Sequence, residues 1–117
     1  MSFALKRIYD QPLAADGLRI LVDRIWPRGM TKEEARVELW LKDIAPSTEL
    51  RKWFAHDPAK WTTFRERYFV ELSHAPDTVA RLRTLAEHQL VTLLHAAKDD
   101  KHNNAVALLE YICRHAG

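Results

Sequence analysis

Hydrophobic and polar positions along the chain follow two periods, one typical of strands and one typical of helices. Four short apolar stretches, at 3–9, 18–25, 37–43 and 91–96, have the length and spacing of strands. The second and fourth are nearly continuous in apolar residues, so we expect both to be buried inside a sheet. For 37–43 a short helix is the competing interpretation.

Helix signals occupy the segments between these strands. Thr31 and Glu34 form a capping box for a very short helix, and three more helices open at Pro46-Ser47, Asp57-Pro58 and Pro76-Asp77. A last helix follows the loop KDDKH, with an apolar stripe of Ala105, Leu108, Leu109, Ile112 and Cys113. This stripe predicts that Cys113 is buried and slow to react with thiol reagents.

Strands separated by helices predict an α/β fold. We expect a single layered domain over residues 1–117, with a small, mostly parallel sheet of about four strands flanked by helices. The link between the first two strands is too short for a helical crossover. Those strands form either an antiparallel pair or a minimal parallel connection, and the pattern does not decide between the two.

Composition and charge narrow the class of protein. Of the 117 residues 47% are hydrophobic, enough for one core, and the single cysteine excludes an intramolecular disulfide and a cysteine-rich zinc site. No apolar run approaches the length of a membrane span, and charge already at Lys6 leaves no room for a signal peptide, so we expect a cytoplasmic protein. A net charge of +2 is too small to indicate nucleic-acid binding.

Polar side chains concentrate just after the predicted strands. In an open α/β sheet ligands bind outside the carboxyl ends of the strands, so these positions predict a cleft there. The candidates are Asp23, Arg24, Trp26 and Arg28 after the second strand, Lys42 and Asp43 after the third, and His95, Lys98, Asp99, His102, Asn103 and Asn104 after the fourth.

Arg24 and Arg28 are the main candidates for binding an anion. Guanidinium groups donate paired hydrogen bonds to phosphate or carboxylate, and Pro27 and Gly29 stiffen and turn this loop. The alternative for Arg24 is a structural ion pair with one of the nearby acidic residues Asp23, Asp43 and Glu38. Trp26 either lines the pocket or belongs to the core. The run KDIAPSTELRKW, with Arg51, is typical of solvated surface, and within it only Lys42 lies near the expected cleft.

The segment KDDKHNN at 98–104 connects the fourth strand to the last helix. An anion is favoured before a helix start, and Lys98, Asp99, Asn103 and Asn104 could contact it. His102 is the group best suited to proton transfer near neutral pH, with Asp23 or Asp43 orienting the site. The alternative is a plain helix cap, with Asp100 or Asn103 capping and His102 exposed.

Metal and cofactor chemistry find little support in the pattern. The segment 98–104 has no glycine, so it is neither a P-loop nor a dinucleotide fingerprint, and no cofactor is identified. His95, inside an apolar strand end, is more typical of a core histidine. No ligand spacing supports a metal site built from His95, His102 and Asp99, so we predict none.

Three segments of the chain are similar to a known family. ILVDRIWPRG, WLKDIAPSTELRKWF and VTLLHAAKDDKHNNA resemble, in the same order, the domain-of-unknown-function family 488, in its short YeaO-like branch, over about Leu5 to Ile112. The resemblance implies a compact α/β domain with no assigned reaction. Longer members have a cysteine where this chain has His95, and a C-H-R triplet at 103–105, so their thiol or metal chemistry does not carry over. Asp23, Arg24, Lys98, Asp99 and His102 are the matching positions.

Three functions compete on this evidence. The first is a small domain that binds an anionic metabolite or nucleotide, with acid–base chemistry by His102 left open; it requires Arg24 and His102 to face a common pocket. The second is an interaction or structural domain without catalysis. The third is a nucleic-acid-binding regulatory module, which the strand-like segment 37–43 disfavours because a helix-turn-helix needs a second helix there.

Overall fold

A computed structural model describes residues 1–114 of the chain. Within this range four parallel strands form one sheet in the order β1-β4-β2-β3. The strands are β1 (Ser2–Arg7), β2 (Leu18–Leu21), β3 (Leu39–Trp40) and β4 (Leu90–His95). This all-parallel sheet with flanking helices confirms the predicted α/β class, and β4 is an interior strand as its apolar sequence predicts.

Two of the strands are shorter than predicted. β2 ends at Leu21, so residues 22–25 already belong to the loop that follows it. The stretch predicted as a strand at 37–43 contains only β3 and then a 3-10 turn at Lys42–Ile44. β3 pairs only with β2, so it is the edge strand on this side of the sheet. Lys42 and Asp43 lie exposed in the turn that follows, so a strand extended through them would bury little further surface.

The first two strands are parallel but are not paired with each other. β4 lies between them and bonds to both, so the antiparallel pairing considered above is wrong. Their link contains a 3-10 turn at Ala14–Asp16 and then Gly17, whose φ is +65°. A Cβ at Gly17 would lie 2.4 Å from the backbone oxygen of Leu90, so this close approach to β4 requires glycine.

Five α-helices within the described residues complete the fold, and most begin at the predicted signals. They are α1 (Lys32–Ala35), α2 (Thr48–Phe54), α3 (Trp61–Ser73), α4 (Pro76–His88) and α5 (Asn104–Arg114). Thr31 and Glu34 form the capping box of α1, and Ser47 caps α2. Asp57 caps a short 3-10 turn at Pro58–Lys60 that leads into α3. No helix within residues 1–114 is long and apolar enough to cross a membrane.

The core lies on both faces of the sheet, because neighbouring strand residues point to opposite sides. Ile20 and Leu93 face a large cluster formed with α2, α3, α4 and α5. Leu21 and Leu94 face a smaller cluster that includes Ala35 and is packed against the loops around α1. The strand ends that carry the candidate residues are therefore held between two layers.

Cys113 is exposed, so the prediction that it is buried is wrong. The face of α5 toward the core consists of Ala105, Ala107, Leu108 and Ile112. Cys113 follows Ile112 by one position, which turns its side chain about 100° away from that face. Leu109, the neighbouring member of the predicted stripe, is only half-buried.

Candidate functional site

A cleft of about 490 Å³ opens at the carboxyl ends of β2 and β4. One wall is the whole loop segment 23–28 that follows β2. A second wall comes from Ala45 and Pro46 before α2, from Arg51 and Phe54 within it and from His56 after it. The connection from β4 to α5 supplies Ala96, Ala97, Asn103 and Asn104. Of the candidates named from sequence, the cleft is lined by Asp23, Arg24, Trp26, Arg28, Asn103 and Asn104.

Asp23 joins the ends of the two central strands to the start of α5. Its Oδ2 accepts a hydrogen bond from the Ala96 amide at 2.9 Å, and its Oδ1 accepts one from Asn104 Nδ2 at 3.1 Å. The same Asn104 amide donates to the Val22 carbonyl at 3.0 Å. Burial raises the pKa of the Asp23 carboxyl, against the lowering effect of these two hydrogen bonds.

Arg24 fixes the turn before α2 to the loop after β2. Its Nε donates to the carbonyl of Pro46 at 3.1 Å, and its Nη2 donates to the carbonyl of Ala45 at 3.1 Å. None of the ion pairs within residues 1–114 includes Arg24, so the ion pair with Asp23, Asp43 or Glu38 considered above is absent from the described chain. Carbonyl acceptors leave the positive charge of Arg24 without a neutralising carboxylate.

Two aromatic contacts hold the rest of this loop. Trp26 Nε1 donates to the Met30 carbonyl at 2.7 Å, and its ring packs edge-on against Trp40 with the centroids 5.4 Å apart. Tyr9, from the end of β1, donates its hydroxyl to the Arg28 carbonyl at 2.9 Å. The Arg28 side chain itself is exposed and lines the cleft.

Three polar residues of the cleft are not among the candidates: Tyr9, Arg51 and His56. Arg51 is exposed, as predicted above, but it also lines the cleft. The prediction that only Lys42 of this run lies near the cleft is therefore wrong, because Lys42 is outside the lining and α2 brings Arg51 to it. His56 follows α2 where Ala55 and His56 both have positive φ, 48° and 58°. Neither is a glycine, so no sequence signal marks this left-handed turn.

His102 and Asp99 form a separate pair outside the cleft lining. His102 Nδ1 lies 2.9 Å from Asp99 Oδ2, and the imidazole packs edge-on against Trp61 at 5.4 Å. Hydrogen bonds from the Lys101 amide and from His102 lower the pKa of Asp99. Arg24 and His102 therefore do not line one cleft.

The remaining candidates have structural or solvent-exposed positions. Asn103 caps α5, since its Oδ1 accepts from the Val106 amide at 3.0 Å. The Lys42 ammonium lies 4.6 Å from the centre of the Trp40 ring, and it is outside the cleft lining. Asp43 and Lys98 are exposed and also lie outside that lining.

His95 is buried at the end of β4, with 3% of its surface exposed. Its Nδ1 has no hydrogen-bond partner among the described residues. Burial lowers the pKa of His95, against the opposing effect of the nearby Asp23 carboxylate. Within residues 1–114 no three His, Cys, Asp or Glu side chains are grouped so that they could hold a metal ion.

Comparisons with known proteins find relatives that match nearly the whole chain. The family model DUF488-N3i, described as the inactive DUF488-N3 subclade, matches residues 2–116. Uncharacterized protein YeaO of Escherichia coli is 43% identical over 96% of this chain and 97% of its own length. Uncharacterized protein Rv3073c of Mycobacterium tuberculosis is 41% identical over 91% of this chain and 89% of its own length. No solved structure matches the chain.

The match covers both walls of the cleft, the two central strands and α5 together. The resemblance drawn from the three sequence segments is thereby confirmed. The chain belongs to the DUF488 family, in the DUF488-N3 subclade that is described as inactive.

Proposed function

We propose that this protein binds an anionic small molecule, phosphate- or carboxylate-bearing, in the cleft at the carboxyl ends of β2 and β4. The observation that carries the proposal is the charge of the lining. Arg24, Arg28 and Arg51 all line one cleft, and none of them has a carboxylate partner within residues 1–114. Guanidinium groups suit phosphate and carboxylate because each donates two parallel hydrogen bonds.

One acidic residue, Asp23, lines the cleft, where its carboxyl accepts hydrogen bonds from Ala96 and Asn104. Asp99 lies outside the lining and is paired with His102. Three guanidinium groups therefore face one carboxyl group, and the excess of positive charge attracts an external anion. A bound anion would relieve the mutual repulsion of the three arginines, which gives binding an electrostatic driving force.

Binding without catalysis is the form of this function that we favour. The histidine best suited to proton transfer, His102, is outside the cleft lining and is held by Asp99 and Trp61. By the resemblance described above, the positions that hold cysteines in longer family members hold His95 and Asn103 here. The description of the matching subclade as inactive points in the same direction.

The proposal is tested by the melting temperature in a phosphate titration at constant ionic strength. A ligand that binds only the folded state at ten times its Kd stabilises it by about 1.4 kcal/mol. For a domain of this size that corresponds to a rise of roughly 4–6 °C. The double variant Arg28→Ala/Arg51→Ala should lose the rise. Arg24 is unsuitable for this test, because its substitution also removes the bonds to Ala45 and Pro46.

The matched control removes the same charge outside the cleft. Lys32 and Arg81 are exposed and line no part of it, so the variant Lys32→Ala/Arg81→Ala should retain the full rise. Acetate is titrated in the same way to represent a carboxylate ligand. If neither phosphate nor acetate raises the melting temperature of the unmodified protein, the proposal is contradicted. An equal rise in the two double variants would also contradict it, because the effect would then depend only on overall charge.

A further inference from the structure

Four side chains form an apolar wall of the cleft beside the arginines: Tyr9, Ile25, Trp26 and Pro27. Tyr9 and Ile25 are exposed, Trp26 is half-buried and Pro27 is buried. Ile25 is 56% exposed and Tyr9 is 38% exposed, so a ligand in the cleft can contact both side chains. A small inorganic anion would make no favourable contact with such a wall, whereas sites for larger ligands are lined mainly by apolar and aromatic side chains.

The aromatic part of this wall is fixed in position. The Tyr9 hydroxyl is bonded to the Arg28 carbonyl, and Trp26 Nε1 is bonded to the Met30 carbonyl. The Trp26 ring is also packed against Trp40. A ligand that contacts these rings therefore does not have to order them first, and preorganisation of this kind strengthens binding.

Resting on the proposed function, we propose that the occupant is an anion carried on a flat ring system about the size of a nucleoside monophosphate. The ring packs against Tyr9, Ile25 and Trp26 while the anionic group binds the arginines. A volume of about 490 Å³ is within the range of sites for molecules of that size, and a free phosphate would leave most of it to water. Aromatic side chains bind flat rings by stacking or edge contacts.

The ring is tested with matched pairs of ligands in isothermal titration calorimetry. Adenosine 5′-monophosphate is compared with ribose 5-phosphate, and naphthalene-2-carboxylate with acetate. We expect the ring-bearing member of at least one pair to bind tenfold or more tightly than its partner, and the pair identifies which anion the cleft takes.

The outcomes separate this inference from the proposed function. If the ring-free anions bind as tightly as their ring-bearing partners in both pairs, the inference that the ligand carries a ring is overturned, and the proposed function stands. Adenosine that binds as tightly as its monophosphate would instead overturn the proposed function, and no binding by any ligand would overturn both.

The wall is tested by a pair of surface variants. Ile25 and Val70 are β-branched and exposed to similar degrees, 56% and 61%, but only Ile25 lines the cleft. Ile25→Ser should weaken binding of the ring-bearing ligand about threefold to tenfold and leave its ring-free partner unchanged. Val70→Ser should change neither. Equal effects of the two substitutions would contradict the assignment of this wall to the ring.

Trp26 provides an independent optical signal. Its half-buried ring lines the cleft, whereas the other three tryptophans, Trp40, Trp53 and Trp61, are outside the lining. The ring-bearing ligand should change the tryptophan fluorescence of the unmodified protein, and Trp26→Phe should remove that change. A fluorescence change that persists in Trp26→Phe would contradict contact between the ligand and this wall. Should Trp26→Phe not fold, the Ile25 and Val70 pair decides the question alone.

Discussion

Two arginines at opposite ends of β2 show how one residue type serves two purposes. Arg19, 3% exposed, donates from Nη1 to Asp16 at 2.6 Å, from Nη2 to the Ala35 carbonyl at 2.8 Å and from Nε to the Arg36 carbonyl at 3.3 Å. Arg24 also donates to two backbone carbonyls, but no carboxylate accepts from it. Both residues tie a following segment to the sheet, and only Arg19 has its charge neutralised.

The aspartates at these two ends differ in the same way. Asp16 accepts from Arg19, from the Leu13 amide and from the Lys6 ammonium, which lies 3.0 Å from Oδ2. Burial would raise the pKa of Asp16, but these bonds outweigh it and lower the pKa. For Asp23 burial prevails and the pKa is raised. A network of ion pairs and hydrogen bonds surrounds the charges at one end, while at the other end Arg24 lines the cleft without a carboxylate partner among the described residues.

The largest effect that sharpens this contrast is expected from Asp16→Ala. Removal of the carboxylate leaves the buried Arg19 guanidinium without its counter-charge, which typically costs about 3 kcal/mol of unfolding free energy. Urea unfolding at neutral pH measures the loss. Asp43→Ala, at an exposed residue without an ion pair in the described chain, should change the unfolding free energy by less than about 0.5 kcal/mol. Similar losses in both variants would remove the distinction between a network and a surface charge.

A smaller effect with opposite signs is expected from pH. The folded-state pKa of Asp16 is below its unfolded value of about 4, so its contribution is present above that value and is lost as the pH falls through the folded pKa. The folded-state pKa of Asp23 is above its unfolded value, so the folded state binds the proton more tightly and acidification toward pH 4 adds stability. The unfolding free energies of the unmodified protein and of Asp16→Asn should therefore differ fully at pH 7 and converge only as the pH falls below about 4, through the folded-state pKa of Asp16.

Against Asp23→Asn, the unmodified protein should instead gain stability on acidification. Asparagine is the matched change in both variants because it has the same shape and does not titrate in this range. A carbon-13 NMR titration of the two carboxyl groups provides the independent measurement. If the pKa values of the two carboxyl groups were shifted in the same direction from their unfolded values, the contrast between the two ends of β2 would be contradicted.

The smallest effect is expected from Cys113, which belongs to neither end. It is exposed on α5, so Cys113→Ser should change the unfolding free energy by less than about 0.5 kcal/mol and sets the baseline for the other variants. Ellman's reagent should label Cys113 in the folded protein nearly as fast as in the denatured protein. Strong protection of the folded thiol would restore the prediction made from the helix stripe.

Local sequence signals predict the elements well, because each depends on a few neighbouring residues. Ser47 and Asp57 cap helical segments as predicted, and the apolar run of β4 marks an interior strand. Strand order is a different matter. The insertion of β4 between β1 and β2 depends on packing across the whole chain, and nothing in the short link through Gly17 encodes it.

The cleft could be predicted only as far as the strands position it. Asp23 and Arg24 directly follow β2, so the rule for parallel sheets leads to them. His102 also follows β4, but its bond to Asp99 and its contact with Trp61 hold it elsewhere. Arg51 reaches the cleft through the packing of α2, a tertiary event that no local pattern reports.

The strand order also determines when the sheet can close during synthesis. β1 and β2 are made within the first 21 residues, yet the strand that joins them is β4, whose residue Leu94 pairs with Leu21. A ribosome must therefore deliver residues 90–95 before either early strand has its central neighbour. Until then the nascent chain carries unpaired strand edges, which expose it to misassembly.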